Sequence, residues 1–204
     1  MIKDKNCYFS GVRLDAVSLL PKRSFTKILE IGGGNFDTST YIKEVYGATE
    51  LWGVDIRRIS NTDINLITGS IEDPDIQEKI PNGEFDLIIA NDVVEHLIDT
   101  EGFLEFAYQK LAPKTLLLVS VPNVRNIKVF WHIFLRNSFP RADSGLFDKT
   151  HLRWFTRRDI TEQASKKLRC IDHRYSGRYI RKWYSKIKIF ELVALQNIIL
   201  CKKE

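Results

Sequence analysis

The stretch ILEIGGGNF, Ile28 to Phe36, ends an apolar run on the acid Glu30 and then gives three consecutive glycines. Apolar residues closed by glycine read as a buried strand running into a tight turn, and Asn35 and Asp37 supply a polar helix start. Because glycine has no Cβ, the loop Gly32-Gly33-Gly34 lets backbone approach a ligand closely at a helix N-terminus. A plain glycine turn has the same sequence, so the choice between the two falls to the rest of the chain.

Outward from this loop, short β-rich runs alternate with helical patterns: KILEI 27–31, then a helix over 38–46; LWGVD 51–55; INLIT 64–68, then 72–80; FDLIIA 85–90, then 100–111; and TLLLVSV 115–121. Runs apolar on both faces and separated by helices belong to a parallel sheet covered on both sides, the α/β doubly wound pattern. Gly47 marks the end of the first helix, and Phe103, Leu104, Ala107 and Leu111 form a core-facing stripe that Pro113 stops. The last two β-rich runs, 168–175 and 191–203, have no long helix between them and are expected to pair antiparallel. With 204 residues and 44% hydrophobic content, one domain spanning 1–204 is expected.

Two carboxylates sharpen the glycine loop. Asp55 ends the second strand twenty-five residues after Glu30, where it can accept both hydroxyls of a ribose, and Glu30 can reach a ligand through the loop. A dinucleotide fingerprint would want glycine where Asp37 stands, and an acid there repels a diphosphate. The pattern points to a nucleoside cofactor other than NAD.

These residues resemble the class I S-adenosylmethionine-dependent methyltransferases. LEIGGGNF is similar to their first motif, LWGVDI to the ribose-binding strand end, GSIED to the adenine-side loop, and FDLIIANDVVEHL to the fourth-strand motif beside the methionine moiety. SVPNVRN at 120–126 and GLFDKTHLRWFTRRDI at 145–160 resemble a bacterial subgroup associated with polysaccharide and O-antigen biosynthesis. The resemblance implies a seven-stranded, mostly parallel Rossmann-like sheet with an antiparallel last strand. It also implies S-adenosyl-L-methionine as cofactor, held by Glu30, Gly32, Gly33, Gly34 and Asp55, with Ile56 packing on adenine, Ser70 and Ile71 flanking it, and Asn91 near the methionine end. Two positions depart from the pattern. Phe36 replaces the third motif glycine and has to turn inward under the helix start, and Ser70 replaces an acid, which weakens one hydrogen bond by about 1 kcal/mol.

Methyl transfer to a sugar hydroxyl benefits from a general base, and histidine suits neutral pH. Of four histidines, His151 follows the segment that by resemblance folds over the cofactor mouth, and Asp148 stands three residues earlier to orient it. The competing reading makes Asp148 a helix cap and His151 a packing residue. His96, just past the fourth strand, is a further catalytic candidate or a partner of Glu95 in tying down a loop. Neither the Asn/Asp-Pro-Pro-aromatic tip nor the Pro-Cys pair of nucleic-acid methyltransferases is present, so no specific nucleic-acid partner is expected.

Three scattered cysteines, Cys7, Cys170 and Cys201, suggest neither a disulfide framework nor a metal site, and no signal peptide or membrane span is read, so a cytoplasmic location is expected. The formal charge of +5 is uneven, with twelve basic residues against three acidic ones between Arg153 and Lys188. The stretch 178–190 interleaves basic and apolar residues, as suits a peripheral contact with an anionic inner-membrane surface or a groove for a phosphate-bearing acceptor. An inserted lid or acceptor region is expected at about 123–160. Within it, 124–135 is apolar around much of a helix, which fits a lid packed on the core, a homodimer contact or a lipid-linked acceptor. The function expected is methyl transfer to a small-molecule or glycan oxygen in cell-surface polysaccharide synthesis. Its rivals are a degenerate cofactor-binding scaffold and a membrane-surface enzyme for a lipid-linked precursor.

Overall fold

The computed structural model describes residues 11–59, 63–177 and 188–204. Along the chain it forms α1 (Leu14–Val17), β1 (Lys27–Ile31), α2 (Asp37–Tyr46), β2 (Glu50–Asp55), β3 (Asn65–Thr68), α3 (Pro74–Glu78), β4 (Phe85–Asn91), α4 (Thr100–Lys110), β5 (Leu111–Pro122), α5 (Ile127–Phe130), α6 (Arg157–Ser165), β6 (Arg169–Ser176) and β7 (Gln196–Lys202). The seven strands make one sheet in the order β3-β2-β1-β4-β5-β7-β6. The first five strands pair in parallel, and β7 runs antiparallel to both β5 and β6. The expected doubly wound sheet and its closing antiparallel pair are both present.

Alternation along the central strands explains the three layers. Leu29, Ile31, Ile88, Ala90, Leu117 and Val119 share one apolar layer with Phe103, Leu104 and Ala107 of α4 and Ile160 and Ala164 of α6. Their neighbours Ile28, Leu87, Ile89, Leu116 and Leu118 face the other way, onto Ala16, Val17, Phe36 and Ile42. A strand turns successive side chains to opposite faces, so both faces must be covered when every residue is apolar. Local signals then set the helix ends. Gly47 closes α2 in the left-handed conformation, its N–H donating to Lys43 O at 2.9 Å. Thr156 and Asp159 open α6 with a reciprocal capping box.

Because β1 has β2 on one side and β4 on the other, the strand order reverses between β1 and β4. In sheets of this kind the crevice for a ligand opens outside the C-terminal ends of those two strands. The glycine loop, Asp55 and Asn91 all lie on that edge.

Two expectations are corrected here. Cys170 and Cys201 stand opposite each other in the β6–β7 register, Cα atoms 3.9 Å apart, and are joined as a disulfide. They are 31 residues apart, a spacing with no pairing signal until strand register brings them together. Nor is the apolar segment 124–135 a lid helix packed on the core. α5 continues as a π-helical turn, Trp131–Leu135, and of residues 127–135 only Val129 is buried, with Phe134 71% exposed. So short a helix presents one narrow face to the core, and the remaining apolar side chains stay outside. The basic stretch 178–190 lies outside the described residues up to 187. Among the described residues no helix is long and apolar enough to cross a membrane.

Candidate active site

The glycine loop is folded tightly over the ends of β1 and β2. Gly32 N donates to Val54 O at 2.8 Å and Gly34 N to Asp55 Oδ2 at 3.0 Å. Gly32 adopts φ 64°, and a Cβ there would stand 2.6 Å from Val93 Cγ2, so only glycine fits. Glu30 is buried beneath the loop and accepts from Ser39 N at 2.9 Å, tying β1 to the first turn of α2. Burial pushes its carboxyl up to about 7, against the lowering effect of the Ser39 hydrogen bonds. Phe36 does turn inward. Despite φ 61°, an uncommon backbone state for a bulky residue, its ring is fully buried against Gly33 and Gly53.

Asp55 at the tip of β2 is buried, with Oδ1 accepting from Arg57 N at 2.8 Å and Arg57 Nε at 3.3 Å. A carboxylate offers about four acceptor positions, so the three bonds in place leave room for a hydroxyl, and the long Arg57 Nε contact is the one to yield. Ile56 beside it is 77% exposed. Ser70 is exposed and accepts from Glu72 N at 3.2 Å, whereas the Ile71 side chain belongs to the core. Asn91 ends β4 opposite Ser120 of β5. Both polar atoms of the Asn91 amide and Ser120 Oγ are buried without a hydrogen-bond partner. Next to them Asp92, at φ 56°, is bonded to Arg13 and Gln196. Arg13 immediately precedes the first helix and Gln196 opens the last strand, and nothing in the local sequence of either announces this contact.

Past β4, a 3-10 turn, Val94–His96, brings Glu95 and His96 to the same edge, and the 145–160 segment lays His151 upon them. His151 and His96 rings meet edge to face at 4.8 Å, and His151 Nε2 lies 3.9 Å from Glu95 Oε1. One ligand atom from each of Glu95, His96 and His151 lies within 4.8 Å of the other two. Burial pushes the Glu95 carboxyl well above the usual carboxylate range, and the Asp92 charge adds to this. Burial likewise lowers His151, with His96 contributing, so His151 is a neutral imidazole at pH 7.

Asp148 acts on His151 through its charge rather than through a hydrogen bond. The Asp148 carboxylate accepts from Thr150 N at 2.8 Å and Thr150 Oγ1 at 2.6 Å, and no helix starts at Lys149. An Asx turn satisfies the acid locally, while Thr150 touches His96 Nδ1 through its O at 3.2 Å and its Oγ1 at 3.1 Å. Asp148 therefore bears on both His96 and His151, and Glu95 Oε1 stands 3.9 Å from His151 Nε2.

The segment VPNVRN is an anchor. Buried Asn123 donates to Glu191 O at 2.6 Å and Ala194 O at 3.2 Å, Asn126 donates to Ala194 O at 2.7 Å, and Arg125 pairs with Glu191 at 3.0 Å. Asn123 also bridges to Phe155, so the two signature segments meet. Leu152 N and Arg153 N donate to Glu95 O at 2.8 and 3.0 Å, clamping the later segment to the turn after β4. Surface hollows lined by Lys22, Arg23 and Tyr46, and by Lys166, Lys167 and Arg169, lie at the opposite edge of the parallel strands and share no residue with this cluster.

The same fold recurs in solved structures. A candidate S-adenosylmethionine-dependent methyltransferase of Listeria monocytogenes superposes with a TM-score of 0.67 at 11% identity, covering 97% of this chain and 98% of that one. An S-adenosylmethionine-dependent methyltransferase of Mesorhizobium loti gives 0.64 at 11%, covering 93% and 96%. The 1,6-didemethyltoxoflavin-N1-methyltransferase of Burkholderia thailandensis, solved with 1,6-didemethyltoxoflavin and S-adenosylhomocysteine bound, gives 0.63 at 13%, covering 93% and 76%. No curated protein matches the sequence. The family model described as "Methyltransferase domain" matches residues 9–167, well over half of the chain, from the first helix through the glycine loop, Asp55 and the Glu95–His151 edge to the end of α6, and the chain belongs to that family.

Proposed function

We propose that the protein transfers a methyl group from S-adenosylmethionine to an oxygen of a small-molecule or glycan acceptor in cell-surface polysaccharide synthesis. The observation that carries this reading is the Asn91 amide, buried at the tip of β4 with both polar atoms unpartnered, beside the glycine loop and Asp55. Buried polar groups ordinarily have partners, so a polar ligand at this position answers the vacancy. Asp55 holds the ribose hydroxyls, the open face of Ile56 packs on adenine, and Ser70 flanks it. Glu30 acts through the loop, fixing its angle from beneath. When bound, the cofactor supplies an electrophilic methyl group on a sulfonium. Asn91 would orient the amino-acid end, and His151 Nδ1, buried and unpartnered, would take the acceptor hydroxyl proton as the oxygen bonds the methyl carbon and the carbon–sulfur bond breaks, its electron pair leaving on the sulfur of a neutral thioether.

A catalytically empty scaffold would need its acceptor side plugged, yet Trp131 and Trp154 are half-exposed. The exposed side chains of Phe130, Trp131 and Phe134 favour a second reading, in which a lipid-linked acceptor is met at a membrane surface. Titration calorimetry with S-adenosylmethionine and S-adenosylhomocysteine tests the cofactor, and absence of binding sinks the proposal. Labelled cofactor with a panel of nucleotide sugars and glycans, read by product mass, tests the acceptor class. Co-sedimentation with anionic liposomes, set beside light scattering for a dimer through 124–135, tests the second reading.

A further inference from the structure

We propose that Glu95, His96 and His151 form a binding site for one divalent first-row transition-metal ion. Three observations converge. First, the ligand atoms of the three residues already lie within 4.8 Å of one another. An ion about 2.1 Å from each would bring them to roughly 3.4 Å, a small side-chain adjustment. Second, Glu95 is completely buried, with both carboxylate oxygens lacking a hydrogen-bond partner, and His151 Nδ1 is buried and unpartnered too. Asp92 is no substitute, being taken by Arg13 and Gln196. A carboxylate withdrawn from water with no donor is costly, and two imidazoles facing it make a coordination set rather than a packed core. Third, Thr150 O stands 3.2 Å from His96 Nδ1. A backbone carbonyl there fixes the tautomer with the proton on Nδ1 and leaves Nε2 with its lone pair, the arrangement that metal-binding histidines use.

Two nitrogens and one carboxylate favour Zn²⁺, Mn²⁺, Fe²⁺ or Co²⁺ over Mg²⁺ or Ca²⁺. Three protein ligands leave positions open for an acceptor oxygen. The inference deepens the reading above and replaces one part of it: with the ion in place His151 is a ligand, and the acceptor hydroxyl loses its proton to water because the cation stabilises the oxyanion.

The test uses the full, untagged chain after chelator dialysis, titrated with Co²⁺ and Mn²⁺ by calorimetry and, for Co²⁺, visible absorption. One ion per chain is expected, with affinity falling more than about a hundredfold in Glu95→Gln and in His96→Asn, beyond the roughly 10- to 100-fold that loss of an outer hydrogen-bond partner causes. His96 is half-exposed, so its variant keeps the test open if Glu95→Gln fails to fold. No saturable binding, or binding unchanged in His96→Asn, overturns the site. S-adenosylhomocysteine binding measured on the same chelated protein separates that failure from failure of the methyltransferase reading.

Discussion

The ring of Phe36 occupies the space that a side chain at position 53 would need: a Cβ on Gly53 would stand 2.6 Å from Phe36 Cε1 and Cζ and 2.8 Å from Leu66 Cδ2. The bulky residue in the glycine loop and the bare position in β2 are therefore one packing unit. Gly53→Ala should destabilise the chain by about 1–3 kcal/mol through overpacking. In a chain of this length each kcal/mol lowers Tm by about 2–4 °C. Phe36→Leu combined with Gly53→Ala should lose less than the two single costs added together, as residues in contact couple. Additive urea-unfolding energies across that cycle would refute the packing unit.

Glu30 links the loop to pH. Below its ordinary value of 4.5 the carboxyl is protonated in both folded and unfolded chains and has no effect on stability. Between 4.5 and about 7 the folded chain keeps a proton that the unfolded chain has released, so stability falls as pH rises. Above about 7 both are ionised and the full cost, about 3 kcal/mol, is present. Glu30→Gln keeps an acceptor for Ser39 N and removes the charge. Its stability should be flatter from pH 5 to 8 and should exceed the parent's at pH 8, checked by urea titrations at each pH.

Much of this site was legible in the sequence, and what was not has a common cause. Apolar runs, Gly47 and the Gly32–Gly34 loop are local signals, and they sufficed for the sheet, the helix ends and the edge where the loop, Asp55 and Asn91 gather. Glu95 and His151 are far apart in the chain, as are Arg13 and Asp92, or Cys170 and Cys201, and only strand register or loop closure brings them together. Asp148 shows the opposite case. Its proximity to His151 in sequence suggests a hydrogen-bonded pair, but an Asx turn to Thr150 is satisfied within two residues and leaves only the charge of Asp148 to act on His151.

Asp55 should carry the cofactor's ribose. Asp55→Ala removes the acceptor and should weaken S-adenosylhomocysteine binding by about 1–3 kcal/mol, roughly 5- to 150-fold in Kd. It also frees Gly34 N and Arg57 N, so loop order should drop, visible as faster amide exchange at Gly34. Calorimetry showing unchanged affinity would remove Asp55 from the binding residues.

Asn123 separates a structural signature from a catalytic one. Its amide nitrogen serves two carbonyls, Glu191 O and Ala194 O, and its Oδ1 accepts from Asn197 Nδ2 at 3.3 Å, all buried, and from Arg125 N at 3.1 Å, which is partly buried. Replacing it with alanine leaves several of these groups without a partner, each worth about 1–3 kcal/mol when buried. The expected result for Asn123→Ala is a large fall in Tm, with kcat per folded molecule and cofactor affinity close to the parent's at a temperature where both remain folded. The Arg125–Glu191 pair is half-exposed on the arginine side, so Arg125→Ala should cost much less, though it leaves the Glu191 carboxylate to water that must reach it. If Asn123→Ala instead abolished turnover while leaving Tm unchanged, the VPNVRN segment would belong to the chemistry, and its role as the anchor between β5 and the chain entering β7 would have to be abandoned.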